Sequence, residues 1–365
     1  MKIASMLSIL ALLSASAFAA PQQKKAPKKP VPTTNQTKGR EQQIGGPGVF
    51  GTTYSIRGYF NNFNISLDKA WYDIAAPAAY GTMPQRTEKF LYTSWSIKNT
   101  AAGSQGMPGD GIPVSLVFAD GNTKDDYIHL YRRADLLPLN MDFKPGQGVD
   151  DVVGVVTIPA DARVTKIILN VARMQVTNEQ VIRYFVVGGG TDTKPDPKNV
   201  IAPLPATWRD SADTFGAKAL ETSKAEIGQE YQISMFATTL ESVTLADKFG
   251  DTTAGDGQQL LIATLKIRNP LGMPIGFGTT GMRSGMELLL VDGDGETANV
   301  SSQWFKASRE EPVGDHDIKP GETYRVRVVF SIRKPDKPLK SITLREDEYK
   351  SRGLSFDASK LGITQ

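Results

Sequence analysis

Leu91-Tyr-Thr-Ser-Trp95-Ser-Ile97-Lys-Asn99 returns in the second half of the chain as Leu261-Ile-Ala-Thr-Leu265-Lys-Ile267-Arg-Asn269. In the first copy Leu91, Thr93, Trp95 and Ile97 alternate with Tyr92, Ser94, Ser96 and Lys98. A period of two marks a half-buried strand, because successive side chains of a strand point to opposite faces. The second copy keeps the phase with Leu261, Ala263, Leu265 and Ile267. The stretches beyond each copy repeat as well. Asp120-Gly121 answers to Asp292-Gly293, Lys144-Pro145-Gly146 to Lys319-Pro320-Gly321, and Val164-Thr-Lys-Ile-Ile-Leu169 to Leu339-Lys-Ser-Ile-Thr-Leu344. The separations Pro145 to Val164 and Pro320 to Leu339 are both 19 residues, which argues that the halves are copies of one β-rich unit.

Turn chemistry punctuates the strands. Asp-Gly between apolar runs predicts a hairpin, since glycine accepts a positive φ and aspartate hydrogen-bonds its own backbone. Lys-Pro-Gly places proline at i+1 and glycine at i+2, as a type II turn requires. Beyond the second such turn, Tyr324, Val326, Val328, Phe330 and Ile332 again alternate with a second set of residues. Many short strands with regular turns predict an all-β fold of two tandem antiparallel sandwiches. The expected boundaries are 48–188 for the first and 228–359 for the second, with 189–227 as linker and 360–365 as a C-terminal tail. Within the linker, Arg209–Ile227 is read as a short helix or an irregular approach strand, with Gly216 counting against the helix.

The order of these features resembles a known family. An apolar strand ending in Lys/Arg-Asn leads to an Asp-Gly hairpin, then Lys-Pro-Gly-Gln/Glu, an alternating strand and a closing apolar strand. This is similar to the exported immunoglobulin-like domains of unknown function of the DUF4352 type, found in bacterial secreted proteins and lipoproteins. The resemblance implies an immunoglobulin-like fold and an exported location, and it brings no catalytic motif. Members commonly carry a lipobox cysteine, whereas this chain has no cysteine at all.

The N-terminus reads as an export signal over 1–19. Lys2 supplies the positive start, Ile3–Leu13 the apolar stretch and Ala17-Phe18-Ala19 the cleavage pattern. That run is too short for a membrane helix, which needs about 20 residues, and no later segment is long and apolar enough. With no disulfides available, a large core must stabilise an exported chain. Residues 20–47 form a Pro/Lys/Gln-rich tail expected to be disordered. Lys24, Lys25, Lys28, Lys29, Lys38 and Arg40 face Glu41 alone there, so the body outside tail and signal is net negative although the chain totals +3. Such a segment is a spacer, or it touches an anionic surface through residues 20–45. Nucleic acid is excluded as a partner, because the body has no basic stripe with interleaved aromatics. The sequons at Asn35, Asn64 and Asn299 would matter only in a eukaryotic secretory route.

Little in the sequence points to catalysis. The two histidines, His129 and His316, fall at non-equivalent places in different copies, and His316 is read as a loop residue. Cysteine nucleophiles and zinc knuckles are impossible without cysteine. Asp292, Asp294 and Glu296 form the one candidate metal cluster, with Ca²⁺ as the fitting ion, against the plainer reading of a hairpin turn. Gly46-Pro-Gly48-Val-Phe-Gly51 formally fits G-x-G-x-x-G but comes after the tail rather than a strand, and is read as linker. Trp95 belongs to the core by phase. Trp71, Tyr72 and Tyr80 fall in a poorly patterned insertion at Trp71–Arg86, and Trp304-Phe305 in a polar loop; both groups are either packed under the sandwich or form a contact patch. The expectation is an exported, non-catalytic protein without cofactor, acting through contacts with a protein or cell-envelope component. The rivals are a pair of carbohydrate-binding modules and, behind it, a hydrolase. Any specific function must lie where the two copies differ.

Overall fold

A computed structural model describes residues 46–57, 62–75, 84–107, 111–135, 137–170, 181–188, 195–233, 235–277, 286–291, 297–308, 310–314, 316–334, 338–346 and 352–363. The stretch 1–19 read as an export signal, the stretch up to residue 45 read as a tail, Tyr80 and the Asp292, Asp294, Glu296 cluster lie outside these residues. Strands dominate, and the described residues contain no α-helix, only single 3-10 turns at Ala206–Trp208 and Ala358–Lys360.

The first half contributes β1 (Gly46–Pro47), β2 (Thr53–Arg57), β3 (Asn62–Asp73), β4 (Glu88–Asn99), β5 (Gln105–Gly106) and β6 (Ile112–Phe118). It continues with β7 (Thr123–Arg132), β8 (Asp142–Phe143), β9 (Gly148–Pro159), β10 (Val164–Asn170), β11 (Val181–Val186) and β12 (Ile201–Ala202). The second half contributes β13 (Thr222–Ala225), β14 (Glu230–Ile233), β15 (Phe236–Ala246), β16 (Lys248–Phe249), β17 (Thr252–Thr253) and β18 (Gln258–Arg268). After these come β19 (Ile275–Phe277), β20 (Met286–Val291), β21 (Thr297–Lys306), β22 (His316–Ile318), β23 (Thr323–Arg333), β24 (Ser341–Glu346) and β25 (Gly353–Asp357).

Each half forms one long sheet. The first runs β1-β11-β10-β6-β7-β9-β4-β3-β12, with β2 also on β3; the second runs β13-β25-β24-β20-β21-β23-β18-β15-β14. The two orders correspond, with β2 answering to β14 and β12 as an extra strand of the first, and both include a parallel N-terminal edge strand, β1 on β11 and β13 on β25. We call the portions built on these sheets the first and second modules. The sheets curl, bringing strands that are distant in the sheet face to face. In the first module the backbone N–H of Val164 at the head of β10 donates to the Tyr72 hydroxyl on β3 at 2.9 Å, and Tyr54 of β2 meets Phe185 of β11 edge to face at 6.3 Å.

The alternating phase holds in both copies. Leu91, Trp95 and Ile97, like Leu261, Ala263, Leu265 and Ile267, are buried in the inner core. The asparagine that ends each copy has a structural task. Asn99 is fully buried; its Nδ2 donates to the carbonyls of Gly103 and Phe143, and its Oδ1 accepts from Ala101 N–H. Asn269 repeats this with the Met273 and Ile318 carbonyls and Leu271 N–H. The Lys-Pro-Gly turns are the neighbours of these asparagines: Gly146 (φ 74°) and Gly321 (φ 72°) donate their N–H to the Asn99 and Asn269 carbonyls.

Several expectations change. Gly46–Gly51 is not linker: Gly46–Pro47 form β1, and a Cβ on Gly48 would sit 2.5 Å from Phe185 Cε1, so this glycine lets the chain pack on the core. Of the two readings of Arg209–Ile227 the strand holds and the helix does not: the second sheet begins within the stretch at β13, ahead of the expected boundary at 228. Gly216 adopts φ +63° and a Cβ there would collide with Pro203, which a helix could not accommodate. Trp71 and Tyr72 belong to β3, Trp304 and Phe305 to β21, and His316 to β22; none lies in a loop. Residues 360–363 are not a free tail, since Leu361 is buried in the core and Ile363 packs against it.

The segment between the sheets is built, not slack. Asn199 is buried and bonds both Phe50 N–H and the Gly48 carbonyl. Leu204 and Trp208 enter the core, and Leu204 N–H, Asp210 N–H and Leu220 N–H donate to the carbonyls of Gly216, Lys218 and Trp208.

Candidate functional site

The outer faces of both sheets carry a second apolar layer. In both, apolar residues pointing away from the inner core form a second cluster: Phe90, Tyr92, Tyr131, Val153 and Val155 in the first, Phe249, Leu260, Ile262, Phe305 and Val329 in the second. Hairpin β16–β17 supplies Phe249 to the second cluster, where it meets Phe305 edge to face at 5.2 Å. The first is bordered by Trp71, half-buried and stacked on its cross-strand partner Tyr92 with centroids 5.3 Å apart and planes 11° off parallel.

Around Trp71 lies a groove of about 590 Å³, lined by Lys69, Asp73, Arg133 and Asp151 and walled by Pro203 and Pro205. Strand alternation puts Lys69, Trp71 and Asp73 on one face of β3. The proline wall is held by β12, which pairs parallel to β3 with Ala202 opposite Trp71. The Arg133 guanidinium lies 5.5 Å from the Trp71 ring centroid and its Nε is 2.6 Å from Asp151 Oδ1. Ser94 Oγ donates to the same oxygen at 3.2 Å.

Asp151 owes its position to a bulge. Trp95 pairs with Val152 but Ile97 pairs with Val149, so Asp150 and Asp151 together face Ser96. Asp151 takes φ 59°, and no other non-glycine among the described residues has a positive φ. This conformation costs an L-residue about 1–2 kcal/mol, and bulges commonly re-aim a side chain toward a site. The matching ladder of the second module, β18 on β23, runs from Gln258 to Arg268 without a register shift. Register also gives the counterparts of the other groove residues. Thr244 stands where Trp71 does, opposite Ile262, and the equivalent bridges Tyr131–Pro138 and Phe305–Pro312 put Ala307 at the place of Arg133.

Asp73 Oδ1 accepts the N–H groups of Ile74 and Ala75 at 2.7 and 3.1 Å. Burial raises its pKa above the usual carboxylate value against the pull of those two bonds. Burial likewise pushes the Tyr92 phenol well up, and that hydroxyl donates to the Ala75 carbonyl. The groove therefore offers an indole, an ion pair and a buried-side carboxylate, groups that can bind and orient a partner.

A second cavity, of about 700 Å³, opens between the first module and the intervening segment, with Asp161, Arg163, Asp213 and Phe215 in its walls. Phe215 is 57% exposed, and the Arg163 guanidinium lies 3.8 Å from its ring centroid. Two of its carboxylates, Asp210 and Asp213, are occupied in holding the segment. Asp213 accepts from Phe215, Ala217 and Lys218 N–H, and although burial acts to raise its pKa these bonds leave it lowered; Asp210 pairs with Lys218 at 3.0 Å.

The residues singled out in the sequence do not converge. His129 is exposed on β7. His316 rests against the Tyr324 ring at 4.5 Å, with Nδ1 3.0 Å from the Gly314 carbonyl. Tyr72, Trp304 and Phe305 are buried, and Trp95 is fully buried in the core. Among the described residues no group of three metal-ligating side chains forms, and no helix is long and apolar enough to cross a membrane. Arg133 and Asp151 were missed in the sequence. The signal for Asp151 was available: Asp150-Asp151 interrupts a run whose counterpart, Thr323–Arg333, alternates without a break.

No protein-family model matches the chain, so the resemblance to DUF4352-type domains stands on motif order alone. No curated protein matches it. Among solved structures, an uncharacterised β-sandwich protein of Clostridium difficile 630 is 17% identical, covering 37% of this chain and 92% of that one, with a TM-score of 0.27. A candidate lipoprotein of Bacillus subtilis is 16% identical over 37% of this chain and 40% of its own, with a TM-score of 0.25. An exo-chitosanase of Amycolatopsis orientalis is 13% identical over 73% and 25%, with a TM-score of 0.16.

Proposed function

We propose that this chain is an exported, non-catalytic binding protein of two tandem immunoglobulin-like sandwiches, which contacts a protein or cell-envelope component through the Trp71 groove. The observation that carries this reading is the bulge at Asp151. Strain is stored there to aim a carboxylate at Arg133 beside a half-buried tryptophan, and the sister module has none of the three. Backbone strain of this kind persists where surrounding structure supports it and clusters at binding sites. The basic tail at 20–45 adds electrostatic attraction to an anionic surface. A carbohydrate-binding pair is the weaker reading, because Trp304 and Phe305 are buried and so supply no second platform.

The test is capture of envelope components by the mature chain, 20–365, compared among wild type, Trp71→Ala, Arg133→Ala and the control Thr244→Ala on the second module. Loss of the same component in the first two variants, with retention in the control, supports the groove. Equal capture by all four would overturn it, and competition by simple sugars alone would favour the carbohydrate reading.

A further inference from the structure

Two buried cations sit where the modules and the intervening segment meet. Lys89, on β4, is fully buried, and its Nζ donates to three backbone carbonyls. Ala160 and Ala162, at 2.9 and 2.6 Å, belong to the turn between β9 and β10, whereas Ala217 belongs to the segment between the modules. An ammonium has three N–H groups and no acceptor, so this triad of carbonyls uses all of its hydrogen-bonding capacity. Arg352, 6% exposed, reaches from the second module just ahead of β25. Its Nη1 donates to the Leu220 carbonyl in the segment, and its Nη2 to the Glu88 carbonyl, next to Lys89 on β4.

Neither cation is placed for surface electrostatics. Each is spent on carbonyls contributed by two different parts of the chain, which is costly unless it secures geometry. The sister position of Lys89 is Gln259, so the clamp is not a feature of the module as such. A second, separate approach between the modules lies at Gly272, where an added Cβ would come 3.0 Å from Asp135 Cα. Leu204, Trp208, Ala217 and Ala219 of the segment and Leu271 of the second module all join the same apolar core.

We propose that Lys89 and Arg352 are a two-cation clamp that holds the first module, the 195–221 segment and the second module as one rigid body. Domains joined in tandem move relative to one another by default unless a substantial interface prevents it; here the joint is fastened through backbone carbonyls that no surface substitution would disturb. The orientation of the second module is thus set together with the proline wall of the groove, because Pro203 and Pro205 belong to the clamped segment.

The absence of cysteine makes a clean distance measurement available. Spin labels at Lys144→Cys and Lys319→Cys, both exposed turn positions, would be read by double electron–electron resonance in the full mature chain at pH 6, where Lys89 carries its proton. Wild type is expected to give one narrow distance distribution, and a broad one in the wild type overturns the proposal without any further variant. Lys89→Met with Arg352→Met is expected to broaden the distribution at least about twofold, toward that of freely jointed domains, while circular dichroism retains the β signal. An unchanged narrow distribution in the folded double variant would equally overturn it.

Discussion

Replacing Lys89 by methionine separates two forces that act on one buried nitrogen. Burial lowers the Lys89 pKa to about 7, with Asp161 and Asp213 opposing and Arg352 assisting. An unfolded lysine titrates near 10.4. Between these values the unfolded chain binds the proton and the folded chain does not, so this group makes stability rise with pH from about 7 to about 10. At 1.36 kcal/mol per pKa unit the full effect is of the order of 4 kcal/mol, about 3 of which falls below pH 9.5. Methionine has similar length and does not titrate. At pH 6 it relieves the burial of a charge but leaves the Ala162 and Ala217 carbonyls without this donor, while Ala160 keeps the N–H of Ala219. Unsatisfied buried acceptors cost about 1–3 kcal/mol each, comparable to the relief of burying an ion. The variant is therefore expected to differ little from wild type at pH 6 and to be about 3 kcal/mol less stable at pH 9.5. Equilibrium unfolding in guanidinium, followed by tryptophan fluorescence at half-unit pH steps, measures this. The range stops at pH 9.5 because Tyr72, raised to about 12 by burial, removes stability as pH climbs above 10. A difference between the two proteins that stays constant from pH 6 to 9.5 would refute the reasoning, since it would mean that the three carbonyls hold the ammonium as well as water does.

The geometry sets three further outcomes. Asp151→Gly should leave stability within about 1 kcal/mol of wild type, because relief of the positive φ offsets the half-exposed Arg133 pair, which is worth about 0–1 kcal/mol; a loss above about 2 kcal/mol in urea unfolding would make the bulge a structural anchor instead. Asn99→Ala and Asn269→Ala should each cost about 2–4 kcal/mol, since each removes hydrogen bonds at a fully buried position, and the two losses should be alike; a cost below about 1 kcal/mol at either site contradicts the role given to the strand-ending asparagine. Gly48→Ala should cost about 1–3 kcal/mol in thermal or chemical denaturation, because Phe185 is fully buried and has nowhere to yield; an unchanged midpoint would show that the edge strand β1 gives way instead.

The order of strands could be read from the sequence because it rests on local signals. Alternation of period two and Lys-Pro-Gly turns act over a few residues, and they recur in register in both copies, so one copy checks the other. Trp95 and Leu265 fall in the core for that reason. The aromatics misled because their surroundings are polar. Trp304 comes after Ser-Ser-Gln and reads as loop, yet it lies in β21 paired with Val328 of β23, a contact the local pattern does not announce. Long-range pairing decided what local composition could not.

The groove and the clamp were illegible for a deeper reason: their residues are far apart in the chain and unremarkable one by one. Lys89 stands in the run Glu-Lys-Phe ahead of the repeated strand, where a lysine ordinarily faces water. Only the curl of the sheet and the return of the intervening segment put the carbonyls of residues 160, 162 and 217 around it. Arg352 stands 264 positions along the chain from Glu88, which it meets. Comparison of the copies still carries information here, read as difference instead of likeness. Lys89 against Gln259, Trp71 against Thr244, Arg133 against Ala307, and the extra residue at Asp151 are all departures within otherwise matched strands. Matched positions maintain the sandwich, as the paired asparagines do. The departures gather at one module's outer face and at its junction with the other module. These departures mark the surface on which variant chemistry should be sought first.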